Sequence, residues 1–284
     1  MEPPRGFPYH GAMDTALAPR ADQPFGAHLR FWRQHRRMSQ LDLAGEADIS
    51  TRHLSFVENG RSLPSREMVL RLAERLDVPL RQRNALLVAA GYAPMYRERP
   101  LDDPALAAAR AAVQLILTSH EPHPALAVDR HWNLVAHNAM VPLLLAGVQD
   151  RALLEGQPNV LRLSLHPGGL APRIVNLGQW QHHLFERLRQ QVQATGDRQL
   201  AALQEELRGY PVPADAHETR LDGELLGVAM PLRLRTDAGI LSFISTTTVF
   251  GTPVDVTLQE LALETFFPAD AATAQAMQAL KAAP

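Results

Sequence analysis

Between residues 25 and 91, apolar side chains recur at helical spacing in short segments that are separated by polar helix-start signals. The first segment places Phe25, Leu29 and Trp32 on one helical face, which is typical of a helix that packs against a core. The pattern predicts five short helices: residues 25–37, 40–47 and 51–59, one that follows Ser65, and residues 79–90.

Residues at the ends of these segments support the same division. Ser39 and Asp42 have the spacing of a capping box, in which each side chain accepts a hydrogen bond from the other residue's backbone N–H. Ser50 has the position of an N-cap for the third helix. Gly60 and Gly91 follow the third and fifth helices, where glycine adopts the left-handed conformation at low cost.

Beyond residue 100, long amphipathic segments alternate with short runs of apolar and β-branched residues. Helices are predicted over residues 104–119, after Asn138, and over residues 174–194 and 197–208. Strands are predicted over residues 125–129, 132–136, 224–236, 240–251 and 257–267, with a hairpin turn at Asp237-Ala238-Gly239. This order favours an α+β domain with an antiparallel sheet and helices on one of its faces.

A stretch rich in proline and charge separates the two kinds of pattern, and such composition is typical of a linker. The predicted organisation is a flexible tail over residues 1–23, a mainly α domain over 24–92, a linker over 93–104 and an α+β domain over 105–284.

The composition excludes several classes of protein. The chain has 284 residues, 46% apolar and 20% charged, which is typical of a globular protein with two domains. It has no cysteine, which excludes disulfide scaffolds, thiol nucleophiles and Cys-ligated metal sites. The sequence has neither a signal-peptide pattern nor about 18 consecutive apolar residues, so we expect a cytoplasmic protein without a membrane segment. The first 100 residues carry 15 Arg against 11 Asp and Glu, and this basic excess favours a polyanionic partner.

The second and third helices have the spacing of a helix-turn-helix motif. If Gln40 is position one, the small Ala44 is position five, where the two helices cross closely. Leu54 and Val57 are then positions fifteen and eighteen, on the buried face of the third helix. Asp48 occupies the turn, where a left-handed backbone is needed and Asp is among the tolerated residues. The outward positions of the third helix are Thr51, Arg52, His53, Ser55, Phe56 and Asn59.

Residues 25–91 resemble the XRE family, the phage-repressor-like five-helix domains that bind DNA. The resemblance is carried by residues 39–44 (SQLDLA), 49–50 (IS), 57–62 (VENGRS) and 64–65 (PS). It implies that Gln40, Asn59 and Arg61 contact the DNA backbone. It also implies an ion pair between Arg33 and Glu58 that orients the third helix. Antitoxins and restriction controllers share this fold, and a helical bundle that does not touch DNA is the alternative.

The outward residues of the third helix have side chains suited to the major groove of double-stranded DNA. Arg52 can donate two hydrogen bonds to guanine, and Phe56 can contact a thymine methyl group. The other candidate contacts, to bases or phosphates, are Ser50, Thr51, His53 and Ser55. For each of them the alternative is an ordinary solvated side chain.

The order of strands and helices in the second half resembles a PAS-like fold. Residues 92–94 (YAP), 123–138 (HPALAVDRHWNLVAHN) and 166–176 (HPGGLAPRIVN) resemble the ligand-binding domain of MmyB-like regulators. This resemblance spans most of residues 105–270. It implies a PAS-like sensor with a buried apolar cavity for a fatty acid or a similar small molecule.

The candidate cavity residues are Trp132, Leu134, Met140, Leu144, Trp180, Leu184, Met230, Phe243 and Thr247, with Arg173 or His183 as an anchor for a carboxylate. An apolar stripe does not by itself distinguish a cavity from an ordinary core, which stays open as the alternative.

The sequence therefore predicts a transcription regulator that binds an inverted-repeat operator as a homodimer and senses a small apolar ligand. No His-Glu-x-x-His, dinucleotide-binding, nucleophile-elbow or P-loop motif is present, so no enzymatic activity, cofactor or metal is expected. One alternative is a regulator whose second domain serves only dimerisation or partner docking. The other is an enzyme tethered to DNA, which the missing catalytic motifs disfavour.

Overall fold

The helices predicted for the first domain are all present in the structure. The structure is a computed structural model that describes residues 17–282, apart from residues 21, 212–229, 252 and 254. These helices are α1 (Phe25–His35), α2 (Gln40–Glu46), α3 (Thr51–Glu58), α4 (Arg66–Arg75) and α5 (Leu80–Ala89). The predicted ends lie one or two residues beyond the observed ones, so the prediction of five short helices is confirmed.

The apolar positions of these helices meet in one core. Trp32 of α1, Leu43 of α2 and Leu54 of α3 are all fully buried there. Val57, one turn after Leu54, is buried beside it. Because two positions three residues apart on α3 are held in the core, the opposite side of α3 must face outward.

The second domain contains the remaining α-helices and the strands of the described chain. They are α6 (Ala107–Ser119), β1 (Ala125–Val128), β2 (Leu134–His137), α7 (Met140–Leu145), α8 (Val160–Leu165), α9 (Leu177–Thr195), α10 (Arg198–Arg208), β3 (Pro231–Thr236), β4 (Gly239–Val249), α11 (Val256–Gln259), β5 (Ala262–Pro268) and α12 (Ala271–Ala282).

The strands of the described residues form one antiparallel sheet in the order β2-β1-β5-β4-β3. The central β5 joins the early hairpin to the late one, with Ala127 opposite Leu263 and Thr247 opposite Glu264. This arrangement confirms the predicted α+β class with an antiparallel sheet.

Some predicted boundaries differ from the structure for local reasons. Trp132 has a φ of 67°, a turn conformation, so β2 begins at Leu134 and not at residue 132. The side chain of Asp255 caps α11, and this short helix takes residues that were predicted as the start of the last strand. The sequence pattern did not predict α12. Residues 224–229 of the predicted hairpin lie outside the described residues.

Both faces of the sheet are covered, and this corrects the prediction of helices on one face. Alternate residues of β1 point to opposite faces, and all four are buried. Leu126 and Val128 pack into the main core with residues of α8, α9 and α10. Ala127 packs on the other face against Val113 and Leu117 of α6. A strand that is apolar on both sides needs cover on both sides.

Among the described residues, no helix is both long and apolar enough to cross a membrane.

Candidate nucleic-acid interface and ligand cavity

Capping and turn chemistry set the angle between α2 and α3. The Ser39 and Asp42 side chains each accept a hydrogen bond from the other's backbone N–H, at 3.1 and 2.8 Å. Ser50 accepts from the backbone N–H of His53 at 3.2 Å at the start of α3. Asp48, in the turn, has a φ of 52°, which is the left-handed conformation expected there. The geometry around α3 thus follows from residues close in sequence.

A buried carboxylate anchors the end of α3. Glu58 has a side chain that is 0% exposed, and it accepts hydrogen bonds from Arg33 Nε at 2.6 Å and Arg33 Nη2 at 3.0 Å. Gln40 Nε2 donates a third bond, at 2.7 Å. Burial by itself raises the pKa of Glu58, but the bonds from Arg33 and Gln40 outweigh burial and lower the pKa below its ordinary value. The ionised side chain therefore ties α1, α2 and α3 together.

The predicted DNA-contacting residues lie on α3, directly before and after it, and at the start of α2. Arg52 is exposed, and its guanidinium lies 5.4 Å from the centre of the Phe56 ring. Phe56 is half-buried and supports Arg52, which gives this aromatic side chain a role within the protein. The other predicted contacts are partly or fully exposed: Ser50, Thr51, His53, Ser55, Asn59 and Arg61.

Two of these residues also have partners within the domain. Besides its bond to Glu58, the Gln40 side chain keeps a second N–H donor, because an amide nitrogen carries two hydrogens. Asn59 Oδ1 accepts from Arg30 Nη2 at 2.9 Å, and Asn59 Nδ2 donates to the Ser55 carbonyl at 2.9 Å. Arg30, which the sequence did not single out, is thereby drawn to the end of α3.

An apolar cavity of about 100 Å³ lies between the sheet and helices α7, α8 and α9. Five of the predicted ligand residues line it: Trp132, Leu134, Leu144, Trp180 and Leu184. Further leucines of the wall come from α8 and β3. Trp180 is fixed by a bond from its indole N–H to Ser164 Oγ at 2.9 Å.

The other five predicted ligand residues lie outside the cavity wall. Met140 and Phe243 pack together in a separate cluster with Met277 of α12. The sequence pattern did not predict α12, and this helix is the reason that both residues lie away from the cavity. Met230 packs at the edge of the main core. Arg173 donates to the carbonyls of Leu144 at 3.1 Å and Arg235 at 3.0 Å, and these bonds hold it outside the cavity. Thr247 is exposed and is not part of the wall, but its hydroxyl contacts Arg187 and Glu264, which are.

His183, the alternative anchor, is also outside the wall. Its ring stacks on Trp180 at 5.5 Å. Burial, with a smaller contribution from the positive charge of Arg187, lowers the pKa of His183 below its ordinary value. His183 is therefore a neutral ring near pH 7 and a poor anchor for a carboxylate.

The polar end of the cavity comes from two residues that sequence reasoning missed, Arg187 and Glu264. Arg187 Nη2 donates to Glu264 Oε1 at 2.7 Å, and Nη1 donates to Oε2 at 3.2 Å. The guanidinium also lies 4.8 Å from the centre of the Trp132 ring. One signal was present: Trp180, Leu184 and Arg187 have the spacing i, i+4, i+7 and so share one face of α9.

The two domains meet at α5, the linker and α11. The Leu80 backbone N–H, at the start of α5, donates to Gln259 Oε1 at 2.8 Å. Arg81 forms a double hydrogen bond with Glu260, at 2.7 and 2.9 Å, and also contacts Glu98 of the linker. The linker carbonyl of Arg97 accepts from the Val256 N–H at 2.8 Å. We call this set the α5–α11 junction.

A second contact joins α1 to the turn between α9 and α10. Gly196 in this turn has a φ of 64°, and its carbonyl accepts from the Ala18 N–H at 2.9 Å. A Cβ at Gly196 would lie 2.6 Å from Ala18 N and 3.0 Å from the Phe31 ring, so only glycine allows this approach. Ala18 is thus packed, although residues 1–23 were predicted to be a flexible tail. In the described part of the chain, no group of three or more His, Asp or Glu side chains is placed to hold a metal.

Two family models match separate parts of the chain. A family model described as the MmyB-like transcription regulator ligand binding domain matches residues 109–280. A second model, described as a helix-turn-helix domain, matches residues 24–86. A comparison with curated proteins gives no match.

Proposed function

The chain belongs to the MmyB-like transcription regulators, and on this premise we propose that it binds an inverted-repeat operator as a homodimer, with a small apolar ligand in the cavity modulating that binding. One observation carries the proposal. The exposed side of α3 is rigidly supported, and the contacts described above between the cavity domain and the helix-turn-helix domain lie at α1 and α5. Ligand and DNA can therefore be bound together.

The DNA-binding role assigns a division of labour to the residues around α3. Arg52 is the proposed base-reading residue, since an exposed guanidinium at the start of a recognition helix can reach guanine O6 and N7. Gln40, Asn59 and Arg61 are the proposed backbone contacts, which position the helix but carry little sequence information. Arg33 and Glu58 orient α3 and do not touch DNA.

A dimer follows from the limited reach of one recognition helix, which reads only a few base pairs. Two copies related by a two-fold axis place half-sites about 10 base pairs apart, centre to centre. Footprinting of the full chain on selected DNA tests this. Protection of two symmetric half-sites is expected, and a single half-site bound by a monomer would contradict the proposal.

For the ligand, the cavity size sets a limit. At about 100 Å³ it is smaller than the cavity of about 150 Å³ that holds benzene in a well-studied case. The proposed ligand is therefore a small, mainly apolar molecule, or one end of a longer chain that displaces the leucines of the wall. Fatty acids and their uncharged derivatives are the class to test.

The α5–α11 junction provides a route for modulation. Glu264 at the cavity lies on β5, four residues after Glu260, the partner of Arg81. Arg187 lies on α9, which ends at the turn that contacts α1. A ligand that moves β5 relative to α9 would change both contacts with the DNA-binding domain. Such coupling typically amounts to about 1–3 kcal/mol and is reciprocal between ligand and DNA.

A second candidate function is dimerisation without a ligand, and α6 favours it. Leu115 is 68% exposed and Ile116 is 40% exposed on a helix whose only charged residue, Arg110, is bound to the carbonyls of Leu101 and Asp103. Exposed apolar side chains that form a contiguous patch mark interaction sites, and Leu115 and Ile116 are adjacent. Mass spectrometry of the denatured, freshly purified protein separates the two functions, because a stoichiometric small molecule is expected only for the sensor.

A further inference from the structure

The charged groups at the polar end of the cavity already neutralise each other. Arg187 and Glu264 are the only charged side chains in the cavity wall among the described residues. Their double hydrogen bond, at 2.7 and 3.2 Å, leaves the pair with no net charge. The Glu264 side chain is only 5% exposed, so water does little to screen it.

Neighbouring groups hold this pair in place. The Thr247 hydroxyl lies 2.7 Å from Arg187 Nη2 and 2.8 Å from Glu264 Oε1. The Trp132 ring covers the guanidinium at 4.8 Å. Two serines of the cavity wall, Ser164 and Ser245, contribute uncharged hydroxyl groups. The site thus offers hydrogen bonds but no free positive charge.

A carboxylate that entered this cavity would compete with Glu264 for the same guanidinium. One of the two negative charges would then be buried without a full partner, which is strongly unfavourable. An alcohol, amide or ester can instead accept or donate a hydrogen bond there and leave the pair intact. A buried carboxylate at this position is therefore expected to disfavour an anionic ligand.

We propose that the cavity selects an uncharged amphiphile, with an apolar body and a neutral hydrogen-bonding end, and that Glu264 is the residue that rejects free carboxylates. This inference rests on the proposed sensor function and defines the ligand class of the same cavity. In this arrangement Arg187 holds Glu264 in place and donates hydrogen bonds to the neutral end of the ligand.

The test compares three probes of equal chain length on the full-length protein: octan-1-ol, octanamide and octanoate, at pH 7.5, where octanoate is ionised. Calorimetry gives the affinities, and the fluorescence of Trp132 and Trp180 in the cavity wall gives an independent signal. We expect octanol and octanamide to bind at least about tenfold more tightly than octanoate, because an unpaired buried charge costs more than one factor of ten.

The variant Glu264→Gln keeps the shape of the side chain and removes its charge. Octanoate affinity is expected to rise at least about tenfold in this variant, while octanol affinity changes less than about threefold. The control is Glu260→Gln, which removes a carboxylate from the same region of the chain, outside the cavity wall. It should leave the ranking of the three probes unchanged.

Octanoate binding to the wild type as tightly as the neutral probes would overturn the inference, and this comparison holds even if Glu264→Gln does not fold. An unchanged ranking in a folded Glu264→Gln variant would overturn the role of Glu264. Tight octanoate binding would leave the sensor function standing. If none of the three probes bound the wild type, the sensor proposal and this inference would both be contradicted.

Discussion

Replacing Arg33 with alanine removes the main partner of a carboxylate that has no access to water. Glu58 would keep the single bond from Gln40, at 2.7 Å, and a weak approach of Arg30 Nε at 3.7 Å. The change also removes the bond from Arg33 Nη1 to the Met38 carbonyl, at 3.0 Å. The negative charge of Glu58, at the end of α3, would then be buried without a full positive partner.

The burial of the Arg33–Glu58 pair sets the expected loss in the free energy of unfolding. Removing one partner of a buried ion pair costs about 3–5 kcal/mol in the free energy of unfolding. Arg30→Ala is the matched control, because Arg30 contacts the same carboxylate but its side chain is 45% exposed. An exposed pair of this kind contributes up to about 1 kcal/mol. The double change Arg33→Met with Glu58→Leu should recover much of the loss, since it removes both charges and keeps apolar volume.

The assay uses Trp32, the tryptophan in the core of the helix-turn-helix domain. In a background with Trp132→Phe and Trp180→Phe, its fluorescence during urea unfolding reports on this domain within the full chain. If Arg33→Ala and Arg30→Ala shifted the unfolding midpoint equally, the buried ion pair would not carry the stability assigned to it.

Three further predictions concern DNA, pH and coupling. Arg52→Ala should cost about 1–3 kcal/mol of operator binding and relax the preference at one base pair of each half-site, whereas Gln40→Ala should weaken all sequences alike. Site selection on random DNA checks both, and unchanged base preference in Arg52→Ala would refute the assignment of α3. Asp197 is partly buried and lies 3.1 Å from His131 Nε2. Burial raises the pKa of Asp197, but the hydrogen bond and charge of His131 have a larger combined effect and lower the pKa to about 2. Asp197→Asn should therefore lower the free energy of unfolding by about 2 kcal/mol at pH 5. Because the pKa in the folded state lies below the ordinary 3.8, this difference from wild type should shrink as the pH falls toward about 2, and urea unfolding at several pH values measures it. A Gly-Ser insertion after Arg97 should reduce the effect of operator DNA on ligand affinity and leave each separate affinity nearly unchanged; equal coupling in both proteins, measured by titration with and without operator, would count against the α5–α11 junction.

The sequence alone was sufficient for the five helices of the first domain and the outward face of α3. These features depend on contacts within a few residues, such as Ser39 with Asp42 and Ser50 with His53. Leu54 and Val57 fix the buried side of α3 by a helical period that can be counted along the chain. The conformation of Asp48 follows in the same way, because few residue types tolerate a left-handed turn.

The tertiary structure decided the second functional site. Arg187 shares a face of α9 with Trp180 and Leu184, but its partner Glu264 lies on β5, 77 residues further along the chain. Arg81 and Glu260, which join the domains, are 179 residues apart. Met140 and Phe243 have the apolar character of cavity residues, yet α12 draws them into another cluster. Local periodicity tells which side of an element is buried, but only the packing of distant elements determines what that side meets.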